Sequence, residues 1–199
     1  MKTEIESQNE FVRQMESCAS PLVCEYQDAA YKKHDLLKVA LSGGSKGSKK
    51  TGIGRPDGVV FADESLAKIV AIVEIKAQSA GDRSITKARQ ESQDYVRHCA
   101  NNGLFIPLAI AYDGHRLSVD YFTDSDGDRL FSPCRLANGQ TFESRFASDG
   151  IWPSGEELLM VSRSSDGQIR ESVSVLEEAF TRDFILQIND TMQVSSVPV

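Results

Sequence analysis

The chain has 199 residues, 40% hydrophobic and 26% charged, with a net charge of −7. That balance suits one globular domain of about 150 residues plus an appendage, and it argues against a generic nucleic-acid binder, which would be basic. No apolar run approaches the ~18 residues of a membrane span, and Met1–Ser7 lacks the apolar core of a signal peptide, so a cytoplasmic protein with no membrane partner is expected.

Residues 3–18 and 21–41 are predicted as helices. Leu22, Tyr26, Ala29, Ala30, Leu36, Leu37 and Leu41 recur at spacings that fit one apolar face, and Ser20-Pro21 offers a helix start. Residues 42–54 form a glycine-serine-lysine loop. It is not a nucleotide-binding phosphate loop, because Gly47-Ser48-Lys49 never gives the required Gly-Lys-Ser/Thr and no apolar strand precedes it. Residues 32–55 carry seven basic side chains, among them Lys46, Lys49, Lys50 and Arg55, against Asp35 alone. This local charge of +6 in an acidic chain fits either a solvated loop or contacts to a phosphate backbone.

Two strands follow, 57–62 and 67–76, joined by a turn at Asp63-Glu64-Ser65-Leu66. The second is nearly continuous in Ile and Val, the pattern of a central strand buried on both faces. Residues 84–102 are predicted as a helix that Gly103 ends. Residues 104–112 make a further buried strand, Asp113-Gly114 a hairpin turn, and His115–Phe122 its partner strand. Asp124–Asp128 resembles half of a calcium loop, but Arg129 and Arg135 stand at the loop's Gly and Glu positions, so it reads as a polar turn. Residues 130–153 are weakly patterned. Ser154-Gly-Glu-Glu157 has capping-box spacing and opens a short helix. Residues 170–192 are predicted as a long amphipathic helix. The expected division is a domain over 1–153 and a helical extension over 154–199. The four cysteines have no C-x-x-C spacing and are expected as free thiols, not zinc ligands.

The informative chemistry lies in Pro56-Asp57 and, seventeen residues after Asp57, Glu74-Ile75-Lys76. Strand side chains alternate faces, so Glu74 and Lys76 point the same way. A hairpin turn centred between Ser65 and Leu66 pairs residue 57 with residue 74, and paired residues share a face. Two adjacent carboxylates repel, and a hard divalent cation resolves the repulsion using carboxylate, carbonyl and water oxygens. Asp57, Glu74 and the Ile75 carbonyl are the candidate ligands, for Mg²⁺ with Mn²⁺ as substitute. Such a cation activates water against a phosphodiester, while Lys76 orients the water or neutralises developing charge. The plainer alternative is a Pro-Asp turn and a solvated Glu-x-Lys face, but charges ending the most hydrophobic strand are unexpected without a role.

This pattern resembles the restriction-endonuclease-like nucleases, named for their Pro-Asp…Asp/Glu-x-Lys motif. Gly54-Arg55-Pro56-Asp57 and Val73-Glu74-Ile75-Lys76-Ala77 look like the N-terminal nuclease domains of type I restriction motor subunits and related restriction-modification proteins. The resemblance covers about residues 20–125. It implies an α/β fold with an α-β-β-β-α-β core, a mixed sheet flanked by helices, and metal-dependent cleavage of DNA in restriction or phage defence. It also implies a glutamine from the helix after the motif, for which Gln90 is the candidate, and a glutamate from the first helical region: Glu25, with Glu10 or Glu16 as alternatives. The subgroup's Gln-x-x-x-Tyr spacing is not met by Gln90 or Gln93 with Tyr95. Partners implied are DNA and a fused or associated translocase or methyltransferase, with a homodimer through residues 170–192 also open. The competing expectations are a catalytically inactive DNA-binding or interaction module of the same fold, and an unrelated α/β protein with a chance motif.

Overall fold

Thr3 starts the first helix, α1 (Glu4–Cys18), through a reciprocal capping box with Glu6, and Phe11 and Met15, one turn apart, bury its inner face. The computed structural model describes residues 1–26, 34–43, 54–79, 82–125 and 128–169. After α1 come β1 (Val23–Tyr26), α2 (Asp35–Ala40), β2 (Gly58–Phe61), β3 (Ile69–Ile75), α3 (Arg83–Asn101), β4 (Leu108–Tyr112), β5 (Leu117–Ser125), β6 (Asp128–Pro133), α4 (Phe142–Asp149) and α5 (Gly155–Arg163). The fold is mixed α/β: one six-stranded sheet in the order β1-β2-β3-β4-β5-β6, flanked by helices. The β3–β4 pair is parallel and the other pairs are antiparallel. α3 makes the crossover that a parallel pair requires.

β1 corrects the expected helix over 21–41. Val23, Cys24, Glu25 and Tyr26 pair with Phe61, Val60, Val59 and Gly58. β-branched and aromatic residues beside an open sheet edge favour the strand, and the helix at Asp35–Ala40 is separate and short. Tyr26 and Leu37, read as members of one apolar face, thus belong to β1 and α2. The predicted strand over 104–112 begins only at Leu108, since Pro107 has no N–H to give a ladder. Its carbonyl still accepts the Phe122 N–H at 2.8 Å.

The segment 130–153 holds both β6 and α4. Each hides from pattern recognition for a physical reason: β6 is an edge strand whose Leu130 is exposed, and α4 has eight residues with Phe142 its buried one. β6 pairs antiparallel with β5 so that Asp124 faces Arg129; residues 126 and 127 of the calcium-like stretch lie outside the described residues. The predicted helix 170–192 lies outside the described residues.

The sheet is covered on both sides. On one face, α1, α4 and α5 bring Phe11, Met15, Phe142, Leu158 and Val161 onto Val73, Ile75, Ile110, Tyr112 and Val119. Leu158 and Val161 belong to the expected C-terminal extension, so its described part shares the main core. On the other face, α2 and α3 bring Leu37, Leu41, Tyr95, Val96 and Cys99 onto Val59, Phe61, Ile72, Ala109 and Phe122. The four cysteines are free, and burial pushes the Cys99 thiol up to about 12. None of the described helices is long and apolar enough to cross a membrane.

Candidate active site

β3 is buried at all seven positions, which is why it is nearly continuous in Ile and Val. Alternation puts Glu74 on the Ile72 face, beneath α3, and Lys76 follows on that face. β2 and β3 pair as Gly58↔Val73, Val59↔Ile72 and Val60↔Ala71, each pair summing to 131 as the hairpin register predicted, with a shift only at Phe61↔Ile69. Continuing this register brings Asp57 opposite Glu74.

The side chains meet accordingly. The Asp57 N–H donates to Glu74 Oε2 at 3.3 Å, and Asp57 Oδ2 accepts the Ile75 N–H at 2.6 Å. The β2–β3 ladder ends at this point, and the Asp57 carboxylate stands in for the next main-chain acceptor of β3. Lys76 Nζ lies 3.2 Å from Glu74 Oε1, 3.9 Å from Asp57 Oδ2 and 3.1 Å from the Ile75 carbonyl, to which it donates. The Lys76 N–H donates to the Tyr112 carbonyl of β4 at 2.9 Å, which fixes the base of the lysine. The Glu74 side chain is fully buried, whereas Asp57 is 26% exposed, so solvent reaches the site from the Asp57 side.

α3 contributes a side chain that the sequence did not single out. Glu91 Oε2 sits 3.0 Å from Lys76 Nζ. One turn later, the Tyr95 hydroxyl accepts the Arg55 N–H at 3.2 Å and so ties the segment before Asp57 to the helix. Glu91 and Tyr95 have the very spacing sought for Gln-x-x-x-Tyr, with Glu in place of Gln. A search for that spacing with either residue type would have found them. Gln90, the sequence candidate, is exposed on α3 and lines a shallow groove with Arg89, Gln93, Arg97, Arg129 and Phe131. Glu91, its neighbour, is the α3 residue that meets Lys76.

A second polar group pins α3 over the sheet. Arg89 makes a two-pronged pair with Asp120 of β5, Nε to Oδ2 at 2.6 Å and Nη2 to Oδ1 at 2.5 Å. Gln93 and Ser118 donate to the same carboxylate at 3.0 and 3.3 Å. The hydrogen bond to Asp120 raises the Arg89 guanidinium above its ordinary value. Asp120 is buried, and the small Ala88 and Ala111 fill the space between helix and sheet.

The three candidate glutamates separate. Glu25 on β1 faces Val59, in the position diagonal to Asp57 and on the α3 side of the sheet. Glu10 bonds instead to Lys2 at 2.6 Å and to the Tyr112 hydroxyl, on the α1 side, away from Glu74. Burial raises the Glu10 carboxyl, but the bonds from Lys2 and Tyr112 outweigh it and hold the group below its ordinary value. Glu16 lines a cleft with Ala19–Cys24 and Glu64. Arg55 is exposed next to the site, and Lys46, Lys49 and Lys50 lie outside the described residues.

Among the described residues, no group of three or more His, Cys, Asp or Glu side chains is arranged as a ligand set. The oxygens converging at Lys76 suit a hard cation in another way: two carboxylates, from Asp57 and Glu74, and one main-chain carbonyl, from Ile75, with water to complete the shell. The chain matches no protein-family model, no curated protein and no solved structure.

Proposed function

We propose that the chain is a metal-dependent DNA endonuclease domain with a restriction-endonuclease-like core, hydrolysing phosphodiester bonds in restriction-modification or phage defence. The observation that carries this reading is the convergence of Asp57, Glu74 and the Ile75 carbonyl on Lys76 at the end of a buried strand. The succession α1, β1, β2, β3, α3, β4 supports it, since it follows α-β-β-β-α-β with α2 inserted. The basic segment before Asp57 supports a polyanionic substrate.

Asp57, Glu74 and the Ile75 carbonyl hold the Mg²⁺ or Mn²⁺, which supplies charge stabilisation to a phosphodiester under attack. The protein groups do the remaining work. The Ile75 N–H fixes the Asp57 carboxylate, and the Asp57 N–H fixes that of Glu74. Lys76 orients the attacking water and meets negative charge as it builds on the phosphoryl oxygens. Arg55, with Lys46, Lys49 and Lys50, tracks the DNA backbone. The domain works in the cytoplasm with a translocase or methyltransferase, fused or associated.

A specific observation favours a second reading, an inactive nuclease-fold module that binds DNA or a partner protein. The Lys76 ammonium already contacts Glu74, Glu91 and the Ile75 carbonyl, so an internal cation already occupies oxygens that a metal ion would take. Calorimetric titration with Mn²⁺, alongside nicking of supercoiled plasmid, separates the two. The nuclease binds Mn²⁺ and nicks; the inactive module does neither.

A further inference from the structure

Glu91 stands outside the Pro-Asp…Glu-x-Lys pattern, yet it makes the closest carboxylate contact to Lys76, at 3.0 Å. That ammonium also contacts Ile75 O, Glu74 Oε1 and Asp57 Oδ2, the oxygens assigned above to the cation. Lysine and metal ion therefore draw on the same oxygens. Two cations at such range repel strongly in a site where the Lys76 side chain is 14% exposed and Glu74 fully buried.

We propose that Glu91 is a positioning residue that receives the Lys76 ammonium when a divalent cation takes up the Asp57, Glu74 and Ile75 oxygens, so that lysine and cation lie side by side without competing. This rests on the metal-dependent reading of the site. Glu91 is suited to the task. It sits on α3 between two anchors, Arg89 on Asp120 and Tyr95 on Arg55, so its place is fixed while the flexible lysine stem swings. At 20% exposure it retains much of its attraction in salt. A glutamine at this position would offer Lys76 a hydrogen bond but no counter-charge. The glutamate here makes the hand-over electrostatic.

The test is a double-mutant cycle on Mn²⁺ affinity, measured by calorimetry on the full chain for wild type, Lys76→Met, Glu91→Gln and the double variant, with folding checked by circular dichroism. Lys76→Met removes the competitor and should tighten Mn²⁺ binding by roughly tenfold. Glu91→Gln should weaken it by roughly tenfold in the wild-type background, but by less than about threefold beside Lys76→Met, because the effect passes through the lysine. Glu91→Asp, which keeps the charge, should retain most of the affinity. Equal weakening in both backgrounds would mark Glu91 as a direct ligand and overturn the proposal, as would no weakening in either. Absence of Mn²⁺ binding in both wild type and Lys76→Met would overturn the metal-dependent reading itself, whereas binding without coupling would remove this inference alone.

Discussion

The Asp57 carboxylate accepts the Ile75 N–H at 2.6 Å, so the residue expected to hold a cation also finishes the hydrogen bonding of the central strand. Replacement by alanine leaves that N–H without its acceptor. Asp57→Ala should therefore lose about 1–3 kcal/mol of stability, beyond any loss of activity. Asp57→Asn keeps an acceptor oxygen and should lose less. Urea unfolding of the two variants checks this, with equal stability of Asp57→Ala and wild type as the failing result. Tests of catalysis should accordingly use Asn at this position.

Asp120 anchors α3 through Arg89, Gln93 and Ser118. Asp120→Ala removes the two-pronged partner of Arg89, whose Nη1 keeps the Glu143 carboxylate at 3.9 Å, and should cost about 3 kcal/mol. Replacing both partners, Arg89→Met with Asp120→Leu, should recover a large part of that loss, because an apolar pair carries no desolvation penalty. Equilibrium unfolding of the single and double variants decides the matter; a double variant no better than Asp120→Ala counts against it.

Gly155 opens α5 against the end of α1. A Cβ built there would lie 1.8 Å from the Ala19 carbonyl oxygen, a main-chain atom that cannot step aside as a side-chain tip can. Gly155→Ala should force the two elements apart and cost about 1–3 kcal/mol, although alanine ordinarily favours helices. A melting temperature unchanged from wild type would show that α5 does not pack as described.

Arg145 of α4 grips Glu157 of α5 at 2.6 and 2.8 Å. Burial raises the Glu157 carboxyl, but the bonds from Arg145 and Ser154 outweigh it and hold the group below its ordinary 4.5. A depressed folded value means that the ionised form is the stabilising one. The contribution is present above about pH 4.5, the unfolded value, and is lost as pH falls through the lower folded value. The stability gap between wild type and Glu157→Gln should thus be open at pH 7 and narrow in acid. A gap that widens on acidification would reverse the assignment.

The convergence of Asp57, Glu74 and Lys76 was more legible in the sequence than its surroundings. The Ile/Val run of β3, the Glu74–Lys76 spacing and the turn at residues 63–66 sufficed to bring Asp57 opposite Glu74, because strand alternation and hairpin register are short-range rules. β1 was concealed, since four residues beside Pro21 borrow their strand character from the open edge of β2 and from no pattern of their own. Glu91 was concealed for a different reason: its importance lies in a contact made across the β3–α3 crossover, and only the spacing to Tyr95 hints at it. Arg89 and Asp120, thirty-one residues apart, carry no local signal at all.

DNA cleavage by the Asp57–Glu74–Lys76 cluster with a divalent cation is the proposed activity. Its most direct test is conversion of supercoiled plasmid to nicked or linear form by the purified chain in Mg²⁺, beside Glu74→Gln, which removes the buried charge at nearly constant shape. The expected result is cleavage by the wild type, abolished by chelation and reduced at least ~100-fold in Glu74→Gln. Cleavage by Glu74→Gln at the wild-type rate, or none by the folded wild type on modified or unmodified duplex, would contradict it.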